Sequence, residues 1–257
     1  MKNFQLKAKI TANKRLKDNY WHLEFVSGAI AKQACPGQFV NIKVSESMEP
    51  LLRRPISIHR IDGAKVKLFY EVLGKGTQIL ANRKPGEFLD IIGPLGNGFK
   101  YPKNAKSKKQ IILMAGGMGV APLVFLAQKI KSDKTLVLIG AKTKKQILCG
   151  EEFKKLGCQV KFATDDGSLG FSGKVTDLLK TVLAEGATSA IFSCGPKPML
   201  QAVSQIANEN NLVSQLSLEE HLACGIGACL GCVVSTKTGY KRVCQDGPVF
   251  SGKELIW

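Results

Sequence analysis

Two periodicities divide the chain. Up to about residue 100, apolar and polar side chains alternate in six short runs, FQLKAKITANK, NYWHLEFVS, QFVNIKVS, PISIHRID, AKVKLFYEVL and FLDIIGPLG, with Gly, Pro and Asn at the breaks. Successive side chains of a strand point to opposite faces, so a period of two marks strands with one buried face, and six in succession predict a small antiparallel barrel. One helix is predicted to interrupt it, around Gly76 to Asn82.

After the lysine-rich segment KYPKNAKSKK (100–109) the pattern changes. QIILMAG (110–116), TLVLIGA (135–141), QVKFATD (159–165) and SAIFSCG (189–195) are unbroken apolar runs, as expected of strands covered on both faces. Between them APLVFLAQKIK, QILCGEEFKKL and KVTDLLKTVLAEG have helical spacing. Alternating strands and helices predict a doubly wound parallel sheet. A last strand near SQLSLEE leads directly into a cysteine-rich tail. The fold class expected is therefore β barrel plus α/β, with domains at 1–101, 102–215 and 216–257.

The 257 residues suffice for about two ordinary domains and a small appendage, and 44% hydrophobic with 22% charged residues is globular material rather than a disordered chain. The N-terminal MKNFQLKAKITANKRL has no apolar core of a secretory leader, and no apolar run approaches the length of a membrane span. A cytoplasmic location with no membrane partner is expected, and a reducing compartment suits free thiols. Net charge is +17, from 37 Lys+Arg against 20 Asp+Glu. The lysines at 100–109 and 141–145 fall in loops without interleaved aromatic platforms, so no nucleic-acid partner is expected. Anionic cofactors, an acidic partner or a merely solvated lysine surface account for the charge.

Candidate chemistry concentrates at the C-terminus. Cys224, Cys229, Cys232 and Cys244 follow C-x4-C-x2-C, with eleven residues before the fourth cysteine. That spacing begins as a plant-type [2Fe-2S] loop does. Gly225, Gly227 and Gly231 would allow the loop to turn tightly and aim amides at sulfur. A tetrahedral zinc site is the second reading and paired disulfides the third. Cys35, Cys149 and Cys158 are scattered and read as small packing residues, as does Cys194 when taken alone.

Three upstream motifs suit anionic or planar cofactors. Arg54, Pro55 and Ser57 in LLRRPISIHR combine a diphosphate partner with a hydroxyl able to bond a flavin edge, although the same residues fit an arginine pair beside a Pro-broken edge strand. Gly76 and Thr77, in a Gly-Lys-Gly-Thr turn that opens a helix, are pyrophosphate candidates. A Gly/Pro-rich turn, IIGPLGNGF (91–99), closes the barrel. MAGGMGVAPL (114–123) follows the first parallel strand with Gly117 and Gly119, and Pro122 stands where an ordinary dinucleotide fingerprint has its third Gly. Proline is tolerated in a helix's first turn, so a helix can start there.

With RPIS, GKGT, GGMGVAP and SCGPKPML (193–200) in that order, the first 215 residues resemble the ferredoxin-NADP reductase superfamily. With the cysteine tail added, essentially the whole chain resembles the electron-transfer subunits of type B dihydroorotate dehydrogenase. The resemblance implies an FAD-binding barrel that uses Arg54, Pro55, Ile56, Ser57, Phe69, Tyr70, Glu71, Gly76 and Thr77. It implies an NAD-binding domain that uses Gly116, Gly117, Gly119, Pro122, Gly195 and Pro196, with Cys194 beside the nicotinamide but not acting as acid or base. The four tail cysteines would then hold [2Fe-2S].

It further implies an FMN-containing catalytic partner, two chains of each in a heterotetramer. Electrons from that FMN would pass through [2Fe-2S] and FAD to NAD in pyrimidine (UMP) biosynthesis. An NAD(P)H:ferredoxin oxidoreductase subunit is the alternative, and an iron-sulfur redox sensor a third reading. Family members often have Glu-Glu-Arg-Met where this chain has Glu-Glu-His-Leu, which leaves the ligands intact. His59 and His221 read as structural. Lys142, Lys144 and Lys145 could meet a 2′-phosphate or be solvated, while the resemblance favours NAD.

Overall fold

The computed structural model describes residues 3–101, 110–130, 134–186 and 188–257, so most of the basic segment 100–109 lies outside the described residues. The chain forms two compact units. In the first, β1 (Phe4–Lys17), β2 (Tyr20–Val26), β3 (Phe39–Lys43), β4 (Arg54–Asp62), β5 (Lys65–Glu71) and β6 (Phe88–Leu95) close a barrel in the order β1-β2-β5-β4-β3-β6. Every pairing is antiparallel. The alternation seen in the sequence sends Ala8, Ile10, Leu23, Phe25, Ile58, Leu68 and Ile91 into a core sealed from water.

Two helices interrupt the barrel where one was expected. α2 (Lys75–Ala81) lies close to the predicted place, and α1 (Gly28–Gln33) is the addition. Six residues are too few to display a 3.6-residue period, so α1 leaves almost no sequence signal. It stands on a cap instead: the Ser27 hydroxyl accepts from the Ile30 amide at 3.3 Å, and Ile30 is fully buried.

The second unit holds a seven-stranded sheet. Its strands are β7 (Gln110–Gly116), β8 (Thr135–Ala141), β9 (Gln159–Thr164), β10 (Phe171–Ser172), β11 (Thr188–Cys194), β12 (Val213–Ser217) and β15 (Val249–Ser251). They lie in the order β10-β9-β8-β7-β11-β12-β15, all parallel except the last. The order reverses between β7 and β11. α3 (Val120–Ile130) packs on those two strands and touches α4 (Gly150–Lys155); α5 (Val175–Glu185) and α6 (Lys197–Glu209) pack on one another and on β8, β9, β11 and β12. Two helix pairs on one sheet give the doubly wound arrangement.

Three details depart from the sequence reading. The helix expected over 146–156 shrinks to α4, because residues 144–146 form a 3-10 turn and Cys149 takes a left-handed φ of 57° that breaks the winding. α6 and β15 were not foreseen: the Pro-rich start of α6 reads as a turn, and β15 has only three residues. A short hairpin, β13 (Val233–Thr236) and β14 (Gly239–Arg242), follows the three-cysteine loop. Residues 219–233 and 242–248 belong to the barrel unit, whereas 234–241 and 249–257 belong to the sheet unit.

Candidate functional site

All four tail cysteines fall in the barrel unit. Cys229 lies close enough to Cys224 to lower its thiol, and Cys232 close enough to Cys244 to raise it. Backbone amides converge on these sulfurs. The Gly231 amide donates to the Cys229 sulfur and the Cys244 amide to the Cys232 sulfur, each at 3.4 Å, and the amides of Ile226, Ala228 and Cys229 near Cys224, with that of Gly227 near Cys244, favour thiolate there. Amides aimed at sulfur stabilise thiolate charge. At Cys224 burial opposes ionisation, but the amides and the Cys229 thiol outweigh it and bring the thiol down to about 6. At Cys244 burial, reinforced by the neighbouring Cys232 thiol, pushes it up to about 12.

The loop is shaped by glycine at two places where a side chain has no room. Gly225 has φ 70° and a Cβ there would overlap the Asn41 amide, whose nitrogen donates to the Cys224 carbonyl at 3.3 Å. Gly227 has φ 86° and abuts the Gln245 side chain. Cys232 and Cys244 are buried and Cys229 is exposed, flanked by half-exposed Ile226 and by Leu230, itself at a left-handed φ of 59°. Four thiols in two neighbouring pairs, with amides donated to the sulfurs of Cys229 and Cys232, fit a centre of two irons with two thiolates apiece.

A support absent from the sequence reading ties the fourth cysteine to the loop. Arg242 donates from Nη1 to the Gly227 carbonyl at 2.9 Å and from Nε to Asp246 Oδ2 at 3.1 Å; the same carboxylate accepts the Arg242 amide at 2.8 Å. The only sequence trace was an Arg and an Asp two residues either side of Cys244.

In the barrel the structure brings Arg54 and Gly76 together, 22 residues apart in sequence. The guanidinium lies so close over Gly76 that a Cβ there would sit 2.6 Å from Cζ. Arg54 Nη1 donates to the Leu52 carbonyl at 2.6 Å, which fixes the fork at the start of α2. The Thr77 hydroxyl accepts from the Leu73 and Gly74 amides at 3.0 and 3.3 Å. Further along β4, Pro55 is exposed, Ile56 is buried and Ser57 is half-buried opposite Phe39.

Phe69 packs edge-on to His22 at 4.9 Å and lies 5.6 Å from His59, and His59 is buried within this ring cluster. His221 is exposed. Tyr70 is buried, and its hydroxyl donates to Asn13 Oδ1 at 3.1 Å; Asn13 in turn donates to the carbonyls of Leu80, Ala81 and Arg83 at the end of α2. Burial raises the Tyr70 phenol well above its ordinary value, so it stays a neutral donor. Glu71 sits beside Tyr20, whose phenol is raised by burial and by the Glu71 charge.

In the sheet unit two loops meet where the strand order reverses. Gly116 ends β7, Gly117 takes φ 54°, and Gly119 leads into α3. A Cβ on Gly119 would run into the Cys194 carbonyl and sit 2.7 Å from the Gly195 nitrogen, and one on Gly116 would sit 2.9 Å from Pro196 Cδ. Cys194 itself is buried at the end of β11. Pro122 occupies the first turn of α3, where its missing N–H leaves no helical bond unmade. A crevice at the carboxyl ends of strands at such a reversal is the standard place for a dinucleotide.

Lys142, Lys144 and Lys145 are exposed after β8. Their loop is joined to the one after β9: the Lys144 amide donates to Ser168 Oγ at 2.8 Å, and the Asp166 amide to the Lys142 carbonyl at 3.2 Å. Exposed Asp165 and Asp166 therefore share this edge with the lysines, a balance that the sequence reading overlooked. Among the described residues no helix is long and apolar enough to cross a membrane.

Comparison with known proteins agrees with this geometry. Residues 219–256 match the iron-sulfur cluster binding domain of dihydroorotate dehydrogenase B, and residues 113–205 match the oxidoreductase NAD-binding domain. The electron transfer subunit of dihydroorotate dehydrogenase B (NAD(+)) from Desulforamulus reducens is 41% identical, with 97% of each chain covered. That from Enterococcus faecalis is also 41% identical, with 96% of each covered. Among solved structures, an NADH-dependent reduced ferredoxin-NADP oxidoreductase studied for flavin-based electron bifurcation superposes with a TM-score of 0.85 at 28% identity, covering 97% of this chain and 90% of that one. The ferredoxin-NADP+ reductase of Plasmodium falciparum shares the fold, with a TM-score of 0.63 at 19% identity, covering 80% and 91%. The chain belongs to the family of dihydroorotate dehydrogenase B electron transfer subunits, oxidoreductase components whose cofactors are FAD, a [2Fe-2S] cluster and NAD.

Proposed function

We propose that Cys224, Cys229, Cys232 and Cys244 ligate the [2Fe-2S] cluster, two thiolates to each iron, and that this is the point where electrons enter from a catalytic partner. The observation that supports the reading is four neighbouring thiols, three in one loop and the fourth in the turn behind Arg242, with amides donated to Cys229 and Cys232. Bound FAD supplies the junction between one-electron transfer and hydride transfer. For it the barrel offers the Arg54 guanidinium and the amides of Gly76 and Thr77 toward the diphosphate, with Ser57 and the β4 backbone toward the ring edge. Pro55 and Ile56 hold the strand that presents them, and Phe69 and Glu71 border the same face. Tyr70 acts through Asn13 by fixing α2.

At the other end, Gly116, Gly117, Gly119 and Pro122 with Gly195 and Pro196 form the NAD crevice, and Cys194 faces the nicotinamide as packing rather than as acid or base. Domains 1–101, 102–215 and 216–257 divide these tasks. The direction inferred is from FMN of the partner through [2Fe-2S] and FAD to NAD, supporting pyrimidine (UMP) synthesis in the cytoplasm, with two chains of each subunit in a heterotetramer. Nothing in this chain resembles the dihydroorotate-oxidising component, which would need a barrel of roughly 250 residues of its own.

The test is a division of labour. Purified alone, the holoprotein should reduce artificial acceptors with NADH and leave dihydroorotate untouched; adding the partner should restore NAD-linked dihydroorotate oxidation at a mass equal to two of each chain. Dihydroorotate oxidation by the isolated chain would overturn the proposal, and transfer to ferredoxin in preference to the partner would favour the ferredoxin oxidoreductase reading.

A further inference from the structure

The Arg242–Asp246 pair invites a question that ligation alone does not answer, because a fixed charge beside a redox centre acts on its equilibrium as well as its shape. Arg242 spans two parts of the site. Its Nη1 holds the Gly227 carbonyl inside the three-cysteine loop, while its own carbonyl accepts the amides of Gln245 and Asp246 in the turn that carries Cys244. Its guanidinium is thereby held against the loop between Cys224 and Cys229, and the residue itself stands two positions ahead of Cys244. Both members are about one-third exposed, at 30% and 33%. Their charges are thus only partly screened.

We propose that Arg242 is a positioning residue that sets the reduction potential of the cluster, with Asp246 as its counterweight. The inference rests on the proposed ligation by the four cysteines. One-electron reduction of an all-thiolate [2Fe-2S] centre adds one negative charge and moves no other atom between partners. A cation clamped to the backbone between two of the proposed ligands favours the more negative state and raises the potential, and the carboxylate on its other side tempers that effect. The two side chains therefore pull the same equilibrium in opposite directions, although both contribute to the same clamp.

The experiment is an anaerobic redox titration of the holoprotein followed by the cluster's electron paramagnetic resonance signal, in the wild type, Arg242→Gln, Arg242→Lys, Asp246→Asn and the double variant Arg242→Gln/Asp246→Asn. Arg242→Gln should favour the oxidised state about tenfold, about 59 mV for one electron. Asp246→Asn should shift the midpoint upward, and the double variant should return close to wild type. Arg242→Lys should keep most of the potential but release iron to a chelator faster, because it loses the fork on Gly227.

Shifts of the same sign in Arg242→Gln and Asp246→Asn, no shift in either, or an Arg242→Lys shift as large as that of Arg242→Gln would overturn the proposal. If Arg242→Gln fails to retain its cluster, Asp246→Asn decides alone: a rise supports it and the lack of one overturns it. Wild-type protein without iron and sulfide would instead count against ligation by the cysteines, a separate failure.

Discussion

The cysteine loop and the crevice proposed for nicotinamide do related work by opposite means. At the cysteines the chemistry resides in side chains, and an irregular backbone carries three sulfurs in one loop and the fourth in a nearby turn, with amides donated to Cys229 and Cys232. In the crevice the chemistry resides in the absence of side chains: Gly119 and Gly116 let the start of α3 close against Cys194 and Pro196, between strands of a regular sheet. A side-chain site fails when a ligand atom is removed. A backbone site fails when an atom is added.

That contrast orders the predictions. Replacing a buried member of the proposed ligand set, Cys232→Ser, should have the largest effect: bound iron falls at least about tenfold, measured by iron and sulfide analysis, because one iron would lose half its protein thiolates. Adding bulk at the crevice, Gly119→Val, should reduce NADH-dependent acceptor reduction by about a hundredfold, since a displacement of about 1 Å in a positioned reactant has that scale of effect. Its iron content and visible spectrum should remain those of wild type. If Gly119→Val also emptied the cluster, the separation of the two sites would fail.

Arg54→Gln tests the barrel, where side chain and bare backbone are combined. Losing a charge-assisted contact to a diphosphate should weaken FAD retention by about 10- to 100-fold, read by flavin fluorescence on dilution. The smallest effect expected is that of Tyr70→Phe. It removes one hydrogen bond to Asn13 and should lower stability by about 1 kcal/mol in urea unfolding, with FAD binding close to wild type. A large flavin effect from Tyr70→Phe would mean that the hydroxyl serves the cofactor directly.

How much was legible in advance follows the same contrast. The six barrel strands and the strands β7, β8, β9 and β11 could be read because alternation and unbroken apolar runs extend over several residues each. α1, β15 and the shortened α4 could not, since their identity depends on a single cap, a three-residue pairing and a left-handed Cys149. The four tail cysteines stand out by type and spacing. Arg242 does not, because the carbonyl it holds belongs to Gly227, fifteen residues earlier, and a carbonyl leaves no mark in a sequence. Similarly, Gly119 was recognisable as part of a glycine motif, but the surface it must clear, the Cys194 carbonyl, is visible only when the strands are assembled. Asp165 and Asp166 meet the lysines after β8 only through the pairing of β8 with β9, which their place at the end of another strand does not reveal in sequence.

The central claim is that one chain carries a two-iron centre wired to a flavin and a nicotinamide site. The most direct test is anaerobic quantification of iron, sulfide and flavin in the purified protein, followed by NADH addition under electron paramagnetic resonance. The account predicts about two irons and two sulfides per chain with one flavin, and a cluster signal that appears on reduction. One zinc with no sulfide, or a cluster that NADH cannot reduce while flavin is bound, would contradict it.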